Sequence, residues 1–222
     1  LLLGNSAEDS KVKSSSVRGE GFVIDGFHSI QNFDVSDKYY NQTHSNKRIV
    51  GVYGDFRVGY KGLAYVNLTG RNDWSSTLPK QNRSFFYPSV SGSLIFTELM
   101  EKNNILNYGK LRASWASVGK DASPYVTNTY LFGPELTIGG GFRNNWTRGN
   151  DKLIPEKTNS FEVGVDLRFL QNKLGIDFTY YKTNSINQIL QPRVSNATGY
   201  ILTYYNIGEL NNEGVELTLS AT

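Results

Sequence analysis

The chain has 222 residues, a formal net charge of +3 and no cysteine. The lack of thiols excludes disulfides, thiolate chemistry and a cysteine-based zinc site. The small charge is spread along the chain, without the basic stripe that nucleic-acid binding requires. The longest strictly apolar run, Leu63 to Val66, is too short for a transmembrane helix. A membrane-spanning strand is not excluded, because it needs apolar residues only at alternate positions.

Strands of alternating polarity are predicted from residue 47 onwards, and no helix is predicted. The clearest is Phe161–Phe169, where every odd position is apolar and Glu162, Asp166 and Arg168 lie on the opposite face. Because a period of two residues is incompatible with a helix, the fold class is all-β and antiparallel. In chain order, seven strands are predicted near 47–60, 62–74, 89–97, 111–115, 159–170, 173–187 and 215–220.

The predicted connections alternate between short and long. Tight turns are predicted at Tyr60–Gly62 and at Gln171–Asn172, with a modest turn from Leu99 to Tyr108. Longer polar connections cover 75–85, 120–158 and 188–205. An outer-membrane barrel has short turns at its periplasmic end and long loops outside. Strand patterns of about nine residues or more also fit a tilted membrane strand. The sequence therefore favours a transmembrane β-barrel segment.

Aromatic residues recur where the predicted strands end. The run Phe85, Phe86, Tyr87 opens the third predicted strand, and the pair Tyr204, Tyr205 precedes the last one. Amphipathic rings gather at both membrane–water interfaces of barrels, so these five residues are predicted to form part of an interface girdle. Packing of the same rings under a loop of a soluble β-protein is the alternative.

No catalytic residue, metal site or cofactor is predicted. His28 and His44 lie in the polar N-terminal third and share no register with carboxylates. Glu162 and Asp166 lie on the polar face of their strand beside Arg168. A polar barrel interior accounts for them without catalysis.

Two blocks of sequence are distinctive: LTGRNDWSSTLPKQNRSFFYPSVS (68–91) and YGKLRASWASVGKDASPY (108–125). Both resemble the barrel region of the SusC/RagA-like TonB-dependent transporters, the outer-membrane nutrient importers of Bacteroidetes. Three shorter blocks are similar to other parts of the same barrel: RGEGFVIDGF, KRIVGVYGDFRVGYKG and GELNNEGVELTL. The resemblance covers roughly residues 18–220.

This resemblance implies a barrel of about 22 strands with a plugged lumen, of which this chain would supply about seven. Residues 1–46 are expected to hold a strand end and an extracellular loop, and 47–222 the strands with long extracellular loops. Members of the family carry an N-terminal plug and a TonB box, and neither is expected within this chain. The implied mechanism is capture of an oligosaccharide or oligopeptide between barrel, plug and a SusD-like lipoprotein lid. TonB then displaces the plug.

Four aromatic residues, Trp74, Tyr125, Tyr130 and Trp146, are candidates for stacking on a ligand or contacting the lid. Two other interpretations remain open. One is a soluble β-sandwich that binds carbohydrate through such rings, with an apolar core between its sheets. The other is a secreted hydrolase in which two carboxylates converge in one cleft.

Overall fold

A computed structural model describes residues 1–34, 38–101, 104–133 and 139–221. Within that part, eight long strands form one antiparallel sheet in the order β1-β2-β3-β4-β5-β9-β10-β12. Their bounds are β1 Leu2–Gly19, β2 Lys38–Tyr60, β3 Ala64–Ser75, β4 Ser84–Leu94, β5 Leu106–Lys120, β9 Glu156–Phe169, β10 Leu174–Leu190 and β12 Tyr205–Ala221. The all-β prediction is therefore confirmed.

Smaller elements occupy the connections. Leu131–Phe132 (β6) pairs with Arg143–Asn144 (β7), and Thr147–Arg148 (β8) pairs in parallel with Leu202–Thr203 (β11). Two short 3-10 helices span Phe96–Leu99 and Asn196–Thr198. In the described ranges, no helix has both the length and the apolar character needed to cross a membrane.

The sheet contains one long strand more than the seven predicted. The additional strand is β1, which pairs with β2 over its whole length, from Leu2 opposite Asp55 to Gly19 opposite Lys38. Its outer half projects beyond the sheet, because the pairing of β2 with β3 begins only at Ile49. That half has no apolar alternation, because it lies beyond the part of the sheet that carries the apolar face. The hydrophobic pattern therefore did not reveal it.

Short and long connections lie at opposite ends of the sheet. Among the described residues, the short-turn end carries 61–63, 95–101, 104–105 and 170–173, and the other end carries 20–34, 76–83, 121–133, 139–155 and 191–204. We call these the turn end and the loop end. Lys61 at one turn and Leu170, Gln171 and Asn172 at another have positive φ, as tight turns require.

The register of the strands gathers alternate residues into one apolar face. In the cross-strand row at its centre, Leu111 pairs with Val165, Val165 with Phe178 and Phe178 with Leu217. The apolar face comprises Leu3, Val50, Val52, Phe56, Val58, Tyr60, Val66, Leu68, Trp74, Phe86, Val90, Leu94, Leu111, Ala113, Trp115, Phe161, Val163, Val165, Leu167, Phe169, Leu174, Ile176, Phe178, Tyr180, Val215, Leu217 and Leu219.

No second layer of described protein covers the apolar face. Phe161 is 45% exposed, Val163 39% and Leu217 61%. The fully buried apolar cluster of the described chain lies elsewhere, among the connections at the loop end. A soluble β-sandwich would bury these same side chains between two sheets. The exposed face is instead what a sheet that meets hydrocarbon presents.

Candidate functional site: a two-faced wall and its loop platform

The apolar face ends abruptly toward the loop end. On β10, Tyr180 is followed two residues later on the same face by Lys182, which lies 3.4 Å from Glu213 of β12. On β2, Val50 is preceded on the same face by Arg48, whose Nη2 lies 2.9 Å from Oδ2 of Asp9. Charged pairs at this level mark where the apolar surface gives way to a polar environment.

The opposite face of the sheet is polar, and an ion pair on it spans three strands. Arg112 of β5 donates from Nη1 to Asp177 Oδ2 at 2.8 Å and from Nη2 to Asp177 Oδ1 at 2.6 Å. Nη2 also donates to Thr179 Oγ1 at 2.6 Å. Asp177 lies on β10, so the arginine crosses the strand between them at Gly164 of β9. A Cβ at that glycine would lie 2.7 Å from Arg112 Nε.

The same arrangement recurs nearer the loop end. Arg71 of β3 donates from Nε to Asp73 at 2.8 Å and from Nη2 to Ser6 Oγ of β1 at 2.7 Å. To reach Ser6 it crosses β2 at Gly51, where a Cβ would collide with the Arg71 and Asp73 side chains. The Tyr87 hydroxyl donates to the second oxygen of Asp73. Bidentate and charge-assisted bonds of this kind are the strong ones among polar contacts.

Four carboxylates on the polar face are paired with arginines. Besides the two cases above, Asp55 accepts a bidentate bond from Arg57, and Asp166 lies 3.3 Å from Arg168. A hydrolase requires two carboxyl groups that converge on a substrate, and these four are each committed to a guanidinium. Among the described residues, no three His, Asp or Glu side chains group where they could hold a metal ion.

A recess of about 570 Å³ opens along the middle of the polar face. Its lining includes Tyr65, Asn67, Ser91, Arg112 and Glu162. The Asn67 Oδ1 atom is buried there and accepts no hydrogen bond within the described part of the chain. A buried carbonyl oxygen without a donor is costly, so this position suits a surface that another element covers.

The connections at the loop end pack into one unit, which we call the loop platform: residues 76–83, 121–133, 139–155 and 191–204. Its apolar core consists of Leu78, Ala122, Val126 and Leu153, and Leu153 is 0% exposed. Phe85, Ile189 and Tyr204 pack against this core. Three connections that are distant in sequence are thereby held together.

A buried ion pair fixes the platform to the wall. Asp121, whose side chain is 8% exposed, lies with Oδ1 2.7 Å from Lys47 Nζ of β2. Its Oδ2 accepts from Ser75 Oγ at 2.6 Å and from Thr77 Oγ1 at 3.1 Å. One carboxylate therefore joins β2, the end of β3 and the start of two connections.

Amide side chains complete the platform by bonding to backbone carbonyls of neighbouring connections. Asn82 Nδ2 donates to Leu153 O at 2.9 Å, and Asn150 Nδ2 donates to Tyr204 O at 2.8 Å. Asn206 Nδ2 donates to Ile154 O at 2.8 Å, while its Oδ1 accepts from the Ile154 amide at 3.0 Å. These bonds satisfy backbone groups that loops otherwise leave to water.

The rings predicted to form a girdle divide between two environments. Strand alternation leaves Phe86 on the apolar face and turns Phe85 and Tyr87 to the polar one. Phe85 packs against the platform core and stacks on Tyr87, and Tyr204 packs against the same core. Packing under the loops therefore describes Phe85 and Tyr204 better than a girdle, and Tyr87 lies on the polar face, where its hydroxyl bonds to Asp73. Tyr205 is exposed at the first position of β12, and its girdle role stays a prediction.

The predicted ligand-binding aromatics do not form one group. Trp74 lies on the apolar face, opposite Val50, so its position suits a membrane interface better than a sugar platform. Tyr125 and Tyr130 form an edge-to-face pair with ring centroids 6.5 Å apart, and the Tyr125 hydroxyl accepts from the Asn46 amide at 2.9 Å. Trp146 is 66% exposed, next to the short β8–β11 pairing.

Comparison with known proteins agrees with this geometry. Residues 11–222 match the family model described as "TonB dependent receptor-like, beta-barrel". The TonB-dependent receptor P26 of Formosa agariphila is 28% identical over 226 residues, covering 97% of this chain and 23% of that protein. The TonB-dependent receptor SusC of Bacteroides thetaiotaomicron is 29% identical over 191 residues, covering 78% of this chain and 18% of that protein.

Among solved structures, the RagAB peptide transporter is similar in fold, with a TM-score of 0.84 at 20% identity. That match covers 99% of this chain and 25% of the matched chain. This chain thus spans about a quarter or less of the length of these relatives. The two-faced sheet and the sequence match lead to one conclusion: the chain belongs to the β-barrel family of the TonB-dependent receptors, which are outer-membrane proteins.

Proposed function

We propose that this chain is a wall segment of a TonB-dependent outer-membrane importer that takes up oligosaccharides or oligopeptides together with a SusD-like lid lipoprotein. The observation that carries the proposal is the chemical division of one sheet. Its apolar face is exposed across neighbouring strands, and its polar face carries paired charges. Such a wall separates hydrocarbon from a polar interior, and no carbohydrate-binding sandwich needs it.

The proposed plug would cover the polar face. The recess around Asn67 has the buried, unsatisfied oxygen described above, and an N–H donor from a covering element would satisfy it. The ion pairs of Arg112 and Arg71 are already complete within the wall. They leave a fixed polar surface along which another element can slide without breaking bonds to it. A plug displaced by TonB would need such a surface.

The loop platform is proposed to face the cell exterior and to meet the lid and the substrate. Its packed core and its cross-connecting amides give it a defined surface. Tyr125, Tyr130 and Trp146 are exposed on it and offer rings for stacking on a sugar or a peptide. The similarity to a peptide transporter supports the oligopeptide class, and exposed rings that can stack on a sugar keep oligosaccharides in the proposal.

The proposal is tested by measuring substrate uptake in cells whose chromosomal gene is deleted and whose plasmid encodes the full-length protein. Fluorescent oligopeptides and fluorescent oligosaccharides of matched size are offered separately, with and without a protonophore. We expect the full-length protein to restore accumulation of one class, and the protonophore to abolish it, since TonB draws on the inner-membrane proton gradient. Accumulation that survives the protonophore, or no accumulation of either class, would contradict the proposal.

A matched pair of variants tests the platform rings. Trp146→Ala removes the most exposed of them, and Phe142→Ala removes a similarly exposed ring outside the predicted set. A several-fold rise in the substrate concentration needed for half-maximal uptake is expected for Trp146→Ala. Equal effects of the two variants would remove Trp146 from the site and leave the transport proposal intact.

A further inference from the structure

A second recess lies on the opposite side of the wall from the proposed lumen, at the level where the apolar face ends. It has a volume of about 290 Å³, and its lining includes Arg48, Val50, Trp74, Ser76 and Arg83. Val50 and Trp74 form a cross-strand pair on the apolar face. The recess is therefore open toward the surroundings of the barrel, with Val50 and Trp74 as apolar walls and two arginines, Arg48 and Arg83, in its lining.

The backbone holds Arg48 firmly at this rim. The Arg48 amide donates to Ser76 Oγ at 2.9 Å, and the Ser76 amide donates back to Arg48 O at 2.9 Å. These two bonds continue the β2–β3 pairing one step past the end of the ladder. Arg48 is thus positioned on the same face as Val50, two residues closer to the loop end.

The recess has a surplus of positive charge. Arg48 donates from Nη2 to Asp9 Oδ2 at 2.9 Å, and Lys11 lies 4.0 Å from the same oxygen. One carboxylate is therefore shared by two cations. Arg83 forms no ion pair with any residue in the described ranges. An exposed guanidinium has five donors and a planar shape that suits phosphate oxygens.

The position of these groups indicates what would bind. A free anion in solution would need only the cations, whereas this recess joins them to Val50 and an exposed Trp74 ring at the border of the apolar face. Tryptophan is enriched at that level of membrane proteins, and clustered arginine and lysine side chains at a membrane surface attract anionic lipid headgroups. An amphiphile with a phosphorylated head and acyl chains would contact the arginines through its phosphate and the apolar residues through its acyl chains.

We propose that Arg48, Arg83 and Trp74 form a binding site for a phosphorylated glycolipid of the outer leaflet. The phosphate would lie between the two guanidinium groups, and an acyl chain would extend along Val50. The site rests on the proposed orientation, in which the loop end faces the cell exterior. It does not depend on the identity of the imported substrate.

The test uses the purified full-length protein in detergent and diphosphoryl lipid A as the probe, with bound lipid counted by native mass spectrometry. The Arg48→Gln/Arg83→Gln double variant removes both cations. Its charge-matched control is Arg57→Gln/Arg168→Gln, on the polar face. We expect binding about tenfold or more weaker in the first double variant and unchanged in the control. Dephosphorylated lipid A should bind the unmodified protein as weakly as diphosphoryl lipid A binds the first double variant.

Several outcomes would overturn the site. Equal lipid binding by both double variants would do so, and so would displacement of the lipid by millimolar inorganic phosphate, which would indicate a site for the free anion. Folding of each variant is checked by heat-modifiable migration on gels.

The orientation is checked separately. A cysteine introduced at Asn196 should react with a membrane-impermeant maleimide on intact cells. Its failure to react would overturn the orientation, and with it this lipid assignment. If the unmodified protein binds no lipid, but the cysteine at position 196 is labelled and uptake is normal, the lipid site is wrong and the transport proposal stands.

Discussion

The buried carboxylate of Asp121 gives the sharpest local prediction. Asp121→Asn keeps the size of the side chain but removes the charge that faces Lys47 Nζ at 2.7 Å. Removing one partner of a buried ion pair costs about 3–5 kcal/mol. Because Lys47 remains 29% exposed and can be hydrated, we expect about 2 kcal/mol, of the order of a 30-fold change in an equilibrium constant.

Trypsin can report this change at one peptide bond. The Lys152–Leu153 bond is protected because Leu153 is fully buried and its carbonyl accepts a hydrogen bond from Asn82. Cleavage there requires the platform to open, and its rate follows the population of the open form when reclosing is fast. In the full-length protein, Asp121→Asn should therefore raise the initial rate of cleavage after Lys152 by about 30-fold.

Asp151→Asn is the matched control for this measurement. It makes the same chemical change in the same connection, where the side chain is exposed and only the backbone carbonyl accepts a bond, from Gln81 Nε2 at 2.9 Å. Its cleavage rate should stay within about twofold of the unmodified protein. The reasoning is refuted if Asp121→Asn changes the rate by less than about threefold, or if both substitutions change it equally.

Two further substitutions test the wall itself. Leu217→Lys places a charge on the apolar face at a cost of up to about 2–4 kcal/mol, whereas Thr218→Lys adds the same charge to the polar face. The fraction of full-length protein in the heat-modifiable, membrane-inserted form should fall only for Leu217→Lys, and an equal fall for both would contradict the assigned faces. Gly164→Val should push Arg112 off its carboxylate, because a Cβ there lies 2.7 Å from Arg112 Nε. Phenylglyoxal modification of Arg112, measured by peptide mass spectrometry, should then rise several-fold. Unchanged reactivity would contradict the path of the Arg112 side chain over Gly164.

The alternation of polarity was sufficient to predict seven of the eight long strands in the described sheet. A strand between hydrocarbon and a polar interior must alternate, so Phe161–Phe169 could be assigned from its residues alone. The same logic failed for β1. Its outer half, beyond Asp9 opposite Arg48, projects past the sheet, and no face there has to be apolar.

Contacts between strands could not be predicted, because they depend on register. The sequence shows Arg112 and Gly164 far apart, and only the pairing of β5 with β9 places the glycine where the arginine crosses. The platform core has the same origin, since Leu78 and Leu153 come from different connections. The run Phe85, Phe86 and Tyr87 is different, because strand alternation by itself requires adjacent rings to lie on opposite faces.

Site-directed spin labelling across β9 tests the central claim most directly. The chain contains no cysteine, so single cysteines at positions 161 to 169 of the full-length protein report one site each, provided that any thiols elsewhere in it are removed. The collision rate with oxygen should be high at Phe161, Val163, Val165 and Leu167 and low at the positions between them, because oxygen concentrates in hydrocarbon. A uniform rate along the strand, or apolar positions shielded from oxygen by a second layer of protein, would contradict a wall with lipid on one side.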